Sequence, residues 1–202
     1  MSDYYPIFLN IRGKKCVVVG GGGVAERKVR SLVEHNASIL VISPHVSEGL
    51  AELAAQGVIK VARRDYRPGD LKDALVVIAA TDDPAVNNLV ADEGQRRGTL
   101  VNVVDAPQSS NFIVPSLVRR GDVCIAISTG GRSPALSRKI RTQLEQSFGP
   151  EYASLALLLS EVRHELRGTR VDGDAWQGSL DLDLLLDMLK RGEFEQAKGR
   201  LI

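Results

Sequence analysis

Three stretches of this 202-residue chain combine residue types that can do chemistry. The run Gly20-Gly21-Gly22-Gly23-Val24-Ala25 contains Gly-x-Gly-x-x-Ala at positions 20, 22 and 25. In that spacing Gly20 makes a tight turn, Gly22 lets backbone approach a pyrophosphate, and Ala25 lets a helix pack closely on a strand. The anion then faces the helix N-terminus, so the pattern points to a dinucleotide. Asp105 ends an apolar run and precedes Ala106-Pro107. A carboxylate there is either a general base beside a bound nicotinamide or a turn-forming Asp before proline. Asn102, two positions earlier, either orients a ligand or satisfies neighbouring backbone. The stretch Ser128-Thr129-Gly130-Gly131-Arg132-Ser133-Pro134 supplies exposed N–H groups and hydroxyls, and Arg132, Arg138, Lys139 and Arg141 make that end basic. It reads as a seat for a carboxylate or phosphate, or as a capped helix with solvated arginines.

The elements that would position these residues follow from periodicity. From Lys14 to Asp105, short β-branched runs alternate with helical stretches, which predicts a parallel sheet covered on both faces. The strands are expected at Cys16 to Gly20, Ser38 to Ser43, Val58 to Val61, Leu75 to Ala80 and Leu100 to Val104. Helices are expected over Ala25 to Asn36, from Pro44 or Val46 to Gly57, and from Pro84 to Gly98 with Asp82 or Asp83 as cap; Leu71 to Ala74 reads as one helical turn. Asn111 to Val118 and Val123 to Ser128 then form an antiparallel hairpin. Ser133-Pro134 opens a helix to about Phe148, and Glu151 to Leu166 forms another. A loop over Gly168 to Ser179 leads to short helices at Leu180 to Lys190 and Glu193 to Leu201. The fold class is therefore α/β, a Rossmann-like parallel-sheet domain over 1–110, then a small α+β hairpin–helix segment over 111–149 and a helical domain over 150–202.

Several classes are excluded or disfavoured. A formal net charge of +1 gives no field for gathering nucleic acid or anionic membrane, and no helix-turn-helix is evident. The start of the chain carries no export signal and no apolar run is long enough to span a bilayer, so a cytoplasmic, membrane-free protein is expected. Cys16 and Cys124 lie in apolar runs and read as buried, reduced thiols. His35, His45 and His164 are isolated, so no metal site is expected. One element of the dinucleotide pattern is missing, for the acid that usually holds the ribose should stand about twenty residues past the glycines. There the chain has Ile42-Ser43-Pro44-His45. Ser43 can bond a ribose hydroxyl, or Ser43-Pro44 can open a helix, and His45 is placed near the adenosine. Arg63 and Arg64, after the third strand, are phosphate contacts or solvated edge charges. Ribose chemistry thus leaves NAD and NADP undivided.

Taken in order, Tyr5-Pro-Ile-Phe-Leu-Asn-Ile-Arg12, Val17 to Lys28, Ala79-Ala-Thr-Asp-Asp83, Asn102-Val-Val-Asp-Ala-Pro107, Phe112-Ile-Val-Pro-Ser116 and Ser128 to Pro134 resemble the precorrin-2 dehydrogenase/sirohydrochlorin ferrochelatase family. That resemblance implies oxidation of precorrin-2 to sirohydrochlorin with NAD, and in some members insertion of ferrous iron (Fe2+) into the product, the tetrapyrrole nitrogens ligating the metal. It places the family aspartate on Asp105, the cofactor loop on Gly22, Gly23 and Val24 with Pro44 and His45 beneath the adenosine, and Thr81 in the Ala79 to Asp83 motif beside them. The polycarboxylate substrate falls to Asn102 and to the loop of Ser128, Thr129, Gly130, Gly131, Arg132 and Ser133, with a family hydroxyl on Thr129. It further implies a homodimer through Asn111 to Phe148, and a chain without the methyltransferase module of some relatives. Two other readings stand beside it, a non-catalytic NAD-binding regulator and a different oxidoreductase on the same fold.

Overall fold

The computed structural model describes residues 4–166 and 180–201; the loop expected over Gly168 to Ser179 lies outside them. The chain divides into two compact units between Val114 and Pro115.

The first unit is built on five parallel strands, β1 (Lys15–Val19), β2 (Ser38–Ile42), β3 (Lys60–Ala62), β4 (Val76–Ala79) and β5 (Leu100–Val103), in the order β3-β2-β1-β4-β5. Helices α1 (Gly23–Glu34), α2 (Glu48–Ala55) and α3 (Pro84–Arg96) make the crossovers. The β-branched runs form central strands because side chains alternate between faces and both faces are covered. Cys16 and Val18 pack with Ala25 and Val29 of α1 and Leu50 of α2. Val17 and Val19 pack on the other face with Val90 and Ala91 of α3 and with Val77, Val101 and Val103. Chain order reverses between β1 and β4, the crevice where open α/β sheets hold ligands.

Three expectations are corrected in this unit. Helix α2 starts at Glu48, capped by Ser47, whose Oγ accepts from the Leu50 N–H, and not at Pro44 or Val46. Leu71 to Ala74 makes hydrogen-bonded turns without a helix, Ala74 N–H donating to the Leu71 carbonyl. Asn111 opens no hairpin strand. Its side chain accepts from Val101 N–H (2.7 Å) and donates to the Thr99 carbonyl (2.8 Å), satisfying the free edge of β5.

In the second unit β6 (Ser116–Arg120) and β7 (Val123–Ile127) pair antiparallel about Gly121-Asp122, with Gly121 at φ +57°. The first strand starts only after Pro115, which has no N–H to donate to a ladder. Helix α4 (Pro134–Ser147) opens under a Ser133 cap, and Arg120 donates to the Phe148 and Glu145 carbonyls at its far end. Helices α5 (Glu151–Glu165), α6 (Leu182–Lys190) and α7 (Phe194–Gly199) share a core of Leu155, Leu158, Val162, Leu185 and Met188. Among the described residues no helix is long and apolar enough to cross a membrane. Both cysteines are free; Cys16 is buried in the central strand β1, whereas Cys124, in the two-stranded hairpin, is only half-buried.

Candidate active site

A cleft of about 700 Å³ opens at the β1–β4 crevice, and Gly20, Gly22, Gly23, Val24, Ser43, Pro44, His45 and Thr81 all line it. Ala25 does not; it is buried under α1, the packing role its small side chain predicts. Gly20 has φ +122°, and a Cβ there would lie 2.2 Å from the Ala80 carbonyl oxygen. A turn this tight admits glycine only. Gly21, which the motif leaves as a free position, proves equally constrained: its Cβ would lie 1.9 Å from the His45 carbonyl oxygen.

The β2–α2 loop is pinned to this glycine turn. Ser47 N–H donates to the Gly21 carbonyl (2.8 Å), and Ser47 Oγ donates to Glu26 Oε2 of α1 (2.6 Å). Hydrogen bonds from Ser47 and then Arg30 hold the Glu26 carboxyl below its usual range. Ser43 is buried and donates to the His45 carbonyl (2.6 Å), which leaves its lone pairs to accept a ligand hydroxyl. The alternative use of Ser43-Pro44 as a helix start is thereby removed. Across the crevice, Thr81 Oγ1 shares its proton between the Asp83 carbonyl and Asn87 Oδ1, and Asn87 Nδ2 donates to the Thr81 carbonyl (2.9 Å). Asn87, Ser47 and Glu26 escape a spacing argument because their bonds run to the loops that shape the cleft.

The N-terminus of α1 points chemistry into the cleft. Its cap, Gly22, offers no side-chain hydrogen bond, while α2, α3 and α4 are capped by Ser47, Asp83 and Ser133. The first-turn N–H groups of α1 are left for an anion.

The cleft's outer wall carries Asp65 and Tyr66. Tyr66 donates to Glu93 (2.5 Å), which also accepts from Gly69 N–H (2.9 Å) and Arg97 Nε (2.7 Å). Burial pushes the Glu93 carboxyl up, but these three donors together outweigh it and hold it below the usual carboxylate range. Burial first, then the bond to Glu93, drives the Tyr66 hydroxyl well above its usual range. Arg64 is no phosphate contact, since both its terminal nitrogens bond Asp70 (2.8 and 2.7 Å). Arg63 stays exposed, as a solvated charge would.

Asp105 lies outside this cleft's lining, in the turn after β5. It is exposed and sits at φ +58°, a left-handed conformation that Asp tolerates better than most residues. Its charge acts on Lys28 of α1, whose ammonium burial and Arg27 depress and Asp105 partly restores. Asn102 donates Nδ2 to the Phe112 carbonyl (3.1 Å), so its amide is engaged with neighbouring backbone.

In the second unit, Ser128 to Ser133 form the β7–α4 loop, with Gly130 and Gly131 at φ +61° and +81°. Thr129 is its hub: Oγ1 donates to the Ser133 carbonyl (3.2 Å) and accepts from Ser133 N–H (3.1 Å) and Ser137 Oγ (3.2 Å). Ser128 Oγ accepts from Gly130 N–H (3.0 Å), and Arg132, Arg138 and Lys139 stay exposed. Among the described residues, no group of three or more His, Cys, Asp or Glu is placed to hold a metal ion.

Two family models match the chain, one described as putative NAD(P)-binding over residues 7–116 and one as sirohaem biosynthesis protein central over residues 120–147. A siroheme synthase of Nitrosococcus oceani is 39% identical over 98% of this chain and 43% of its own length. A siroheme synthase of Methylobacillus flagellatus is 43% identical over 80% of this chain and 35% of its own length. The chain thus spans less than half the length of these curated relatives. The solved structure of SirC, precorrin-2 dehydrogenase, matches with a TM-score of 0.81 at 29% identity, covering 98% of this chain and all of that one.

Proposed function

The chain belongs to the precorrin-2 dehydrogenase/sirohydrochlorin ferrochelatase family, and we propose that it oxidises precorrin-2 to sirohydrochlorin with NAD as hydride acceptor. The observation that carries the reading is the uncapped N-terminus of α1 at the end of a cleft whose turn excludes any Cβ at Gly20 and Gly21. Those features fit a pyrophosphate, because backbone donors can approach it where side chains cannot. NAD, when bound, supplies the acceptor for two electrons and one hydrogen. The protein's part is to hold the dinucleotide on Gly22, Gly23 and Val24, to seat its adenosine against Ser43, Pro44 and His45, and to accept the remaining proton on Asp105. Asp105 is exposed at the turn after β5, where a carboxylate can meet the substrate, and its charge acts on Lys28 of α1. The tetrapyrrole's carboxylates fall to the β7–α4 loop. With Thr129 engaged in its own turn, the exposed Ser128 and Arg132 carry that recognition in the second unit. The reading includes a homodimer built through residues 111–148 and a cytoplasmic setting, which suits two free thiols.

The test is anaerobic precorrin-2 with NAD, followed at the nicotinamide and sirohydrochlorin bands, in wild type and Asp105→Asn. The expected result is NADH formation that falls by at least about a hundredfold in the variant while NAD affinity holds. NAD binding without turnover in the wild type would hand the reading to a regulator. Ferrous iron added to the same cuvette tests chelation, supported by loss of the sirohydrochlorin bands faster than in a protein-free control.

A further inference from the structure

We infer that Asp65 is the residue by which this cleft distinguishes NAD from NADP, an inference that rests on the dinucleotide reading above. The acid that usually holds the adenosine ribose is absent from the end of β2, where Ser43 stands. The structure supplies a carboxylate one strand further out. Ser43 N–H donates to the Ala62 carbonyl at the end of β3, and Asp65 follows three residues on, just past a turn in which Arg64 N–H donates to that same carbonyl, lining the same cleft. Among the described residues, the charged side chains of the lining are Asp65, Asp82 and Asp83, with no lysine or arginine. Asp82 and Asp83 follow β4, on the far side of β1 from β2, and Asp83 is occupied as the cap of α3. Asp65 is therefore the exposed carboxylate on the ribose side.

A site for NADP places an arginine by the 2′-phosphate. Arg64, beside Asp65 in the chain, is locked by two hydrogen bonds to Asp70 and a third to the Asp65 carbonyl (2.9 Å), and Arg63 does not line the cleft. A phosphate dianion brought into this lining meets a carboxylate and neither lysine nor arginine, whereas a ribose hydroxyl meets acceptors.

Calorimetric titration of the full chain with NAD and with NADP tests this at low salt and at about pH 8, above the ordinary titration range of imidazole. Wild type is expected to prefer NAD by tenfold or more. Asp65→Asn is expected to narrow that preference about tenfold, chiefly by tightening NADP, and Asp65→Arg to narrow it further. Added salt should narrow the preference in wild type more than in Asp65→Asn. A merely structural role would weaken both dinucleotides alike and leave their ratio unmoved. The inference is overturned if wild type binds both equally, if neither variant moves the ratio, or if Asp82→Asn moves it as far as Asp65→Asn does. Failure of wild type to bind either dinucleotide overturns the cofactor reading and this inference with it.

Discussion

Gly21→Ala isolates what the glycine turn does for the adenosine corner. Gly21 has no left-handed backbone to lose, so the only cost of the substitution is steric. The new Cβ would meet the His45 carbonyl oxygen at 1.9 Å, and that oxygen must retreat by about 1 Å to reach the 3.0 Å that real contacts require. Such a retreat strains the Ser47 N–H bond to the Gly21 carbonyl and the Ser43 Oγ bond to the His45 carbonyl. Two bonds at about 0.5–1.5 kcal/mol each, with overpacking of about 1–3 kcal/mol, give an expected loss of roughly 2–6 kcal/mol from this unit. NAD affinity should fall at least about tenfold, because Ser43, Pro44 and His45 move together. Gly22→Ala is the matched control: its Cβ meets nothing within 4 Å, so stability should change by less than about 1 kcal/mol while NAD binding weakens. Hydrogen exchange at the β1 and β2 amides reads the stability of this unit by itself, and NAD titration reads the site. If Gly21→Ala matched wild type in both, the pinned loop described above would be wrong.

Three further outcomes follow from the same contacts. Tyr66→Phe removes one of three donors to Glu93 and should cost about 1–2 kcal/mol. Because the folded Glu93 carboxyl is depressed, its contribution is present above the ordinary carboxylate range and lost as pH falls through the folded value. The variant's acid-dependent loss should therefore be smaller and complete at higher pH, as read by urea midpoints between about pH 7 and about pH 3; superimposable pH profiles would contradict this. Thr129→Val should destabilise the start of α4 by about 1–2 kcal/mol while Thr129→Ser preserves it, and equal losses in denaturation midpoint would show that the hydroxyl is not the hub. Burial pushes the Cys16 thiol up to about 11, so a disulfide-exchange reagent at about pH 8 should modify Cys124 first and reach Cys16 only on unfolding. One fast phase labelling both would count against a sealed core.

The sheet was legible because its signal is redundant. Each β-branched run buries both faces, so Val17 and Val18 each find a covered side whichever way the register falls. What misled was proline. Pro44 resembles a first helical residue, yet Ser43 spends its hydroxyl on the His45 carbonyl four residues before the real cap at Ser47. Asn111 to Val114 carries a strand-like pattern that tertiary contacts override, for the side chain of Asn111 is worth more closing the edge of β5 than extending a two-stranded hairpin.

The site divides along a similar line. Residues proposed to meet a ligand through backbone, such as Gly20 and Gly22, are legible because a close approach constrains residue type at fixed spacing. Residues that shape the cleft's charge are not, since Asp65 becomes relevant only through the pairing of β2 with β3, and Arg64 becomes irrelevant only through its bonds to Asp70. The same logic separates Thr129 from Ser128: adjacent hydroxyls look equivalent in sequence, but one is enclosed by Ser133 and Ser137 and the other faces solvent. On the proposed reading, selectivity is set by which polar groups the fold has already satisfied. An ion pair like Arg64–Asp70 withdraws a cation from recognition as effectively as a substitution would, and breaking it with Asp70→Asn should free the guanidinium and bring NADP affinity toward that of NAD.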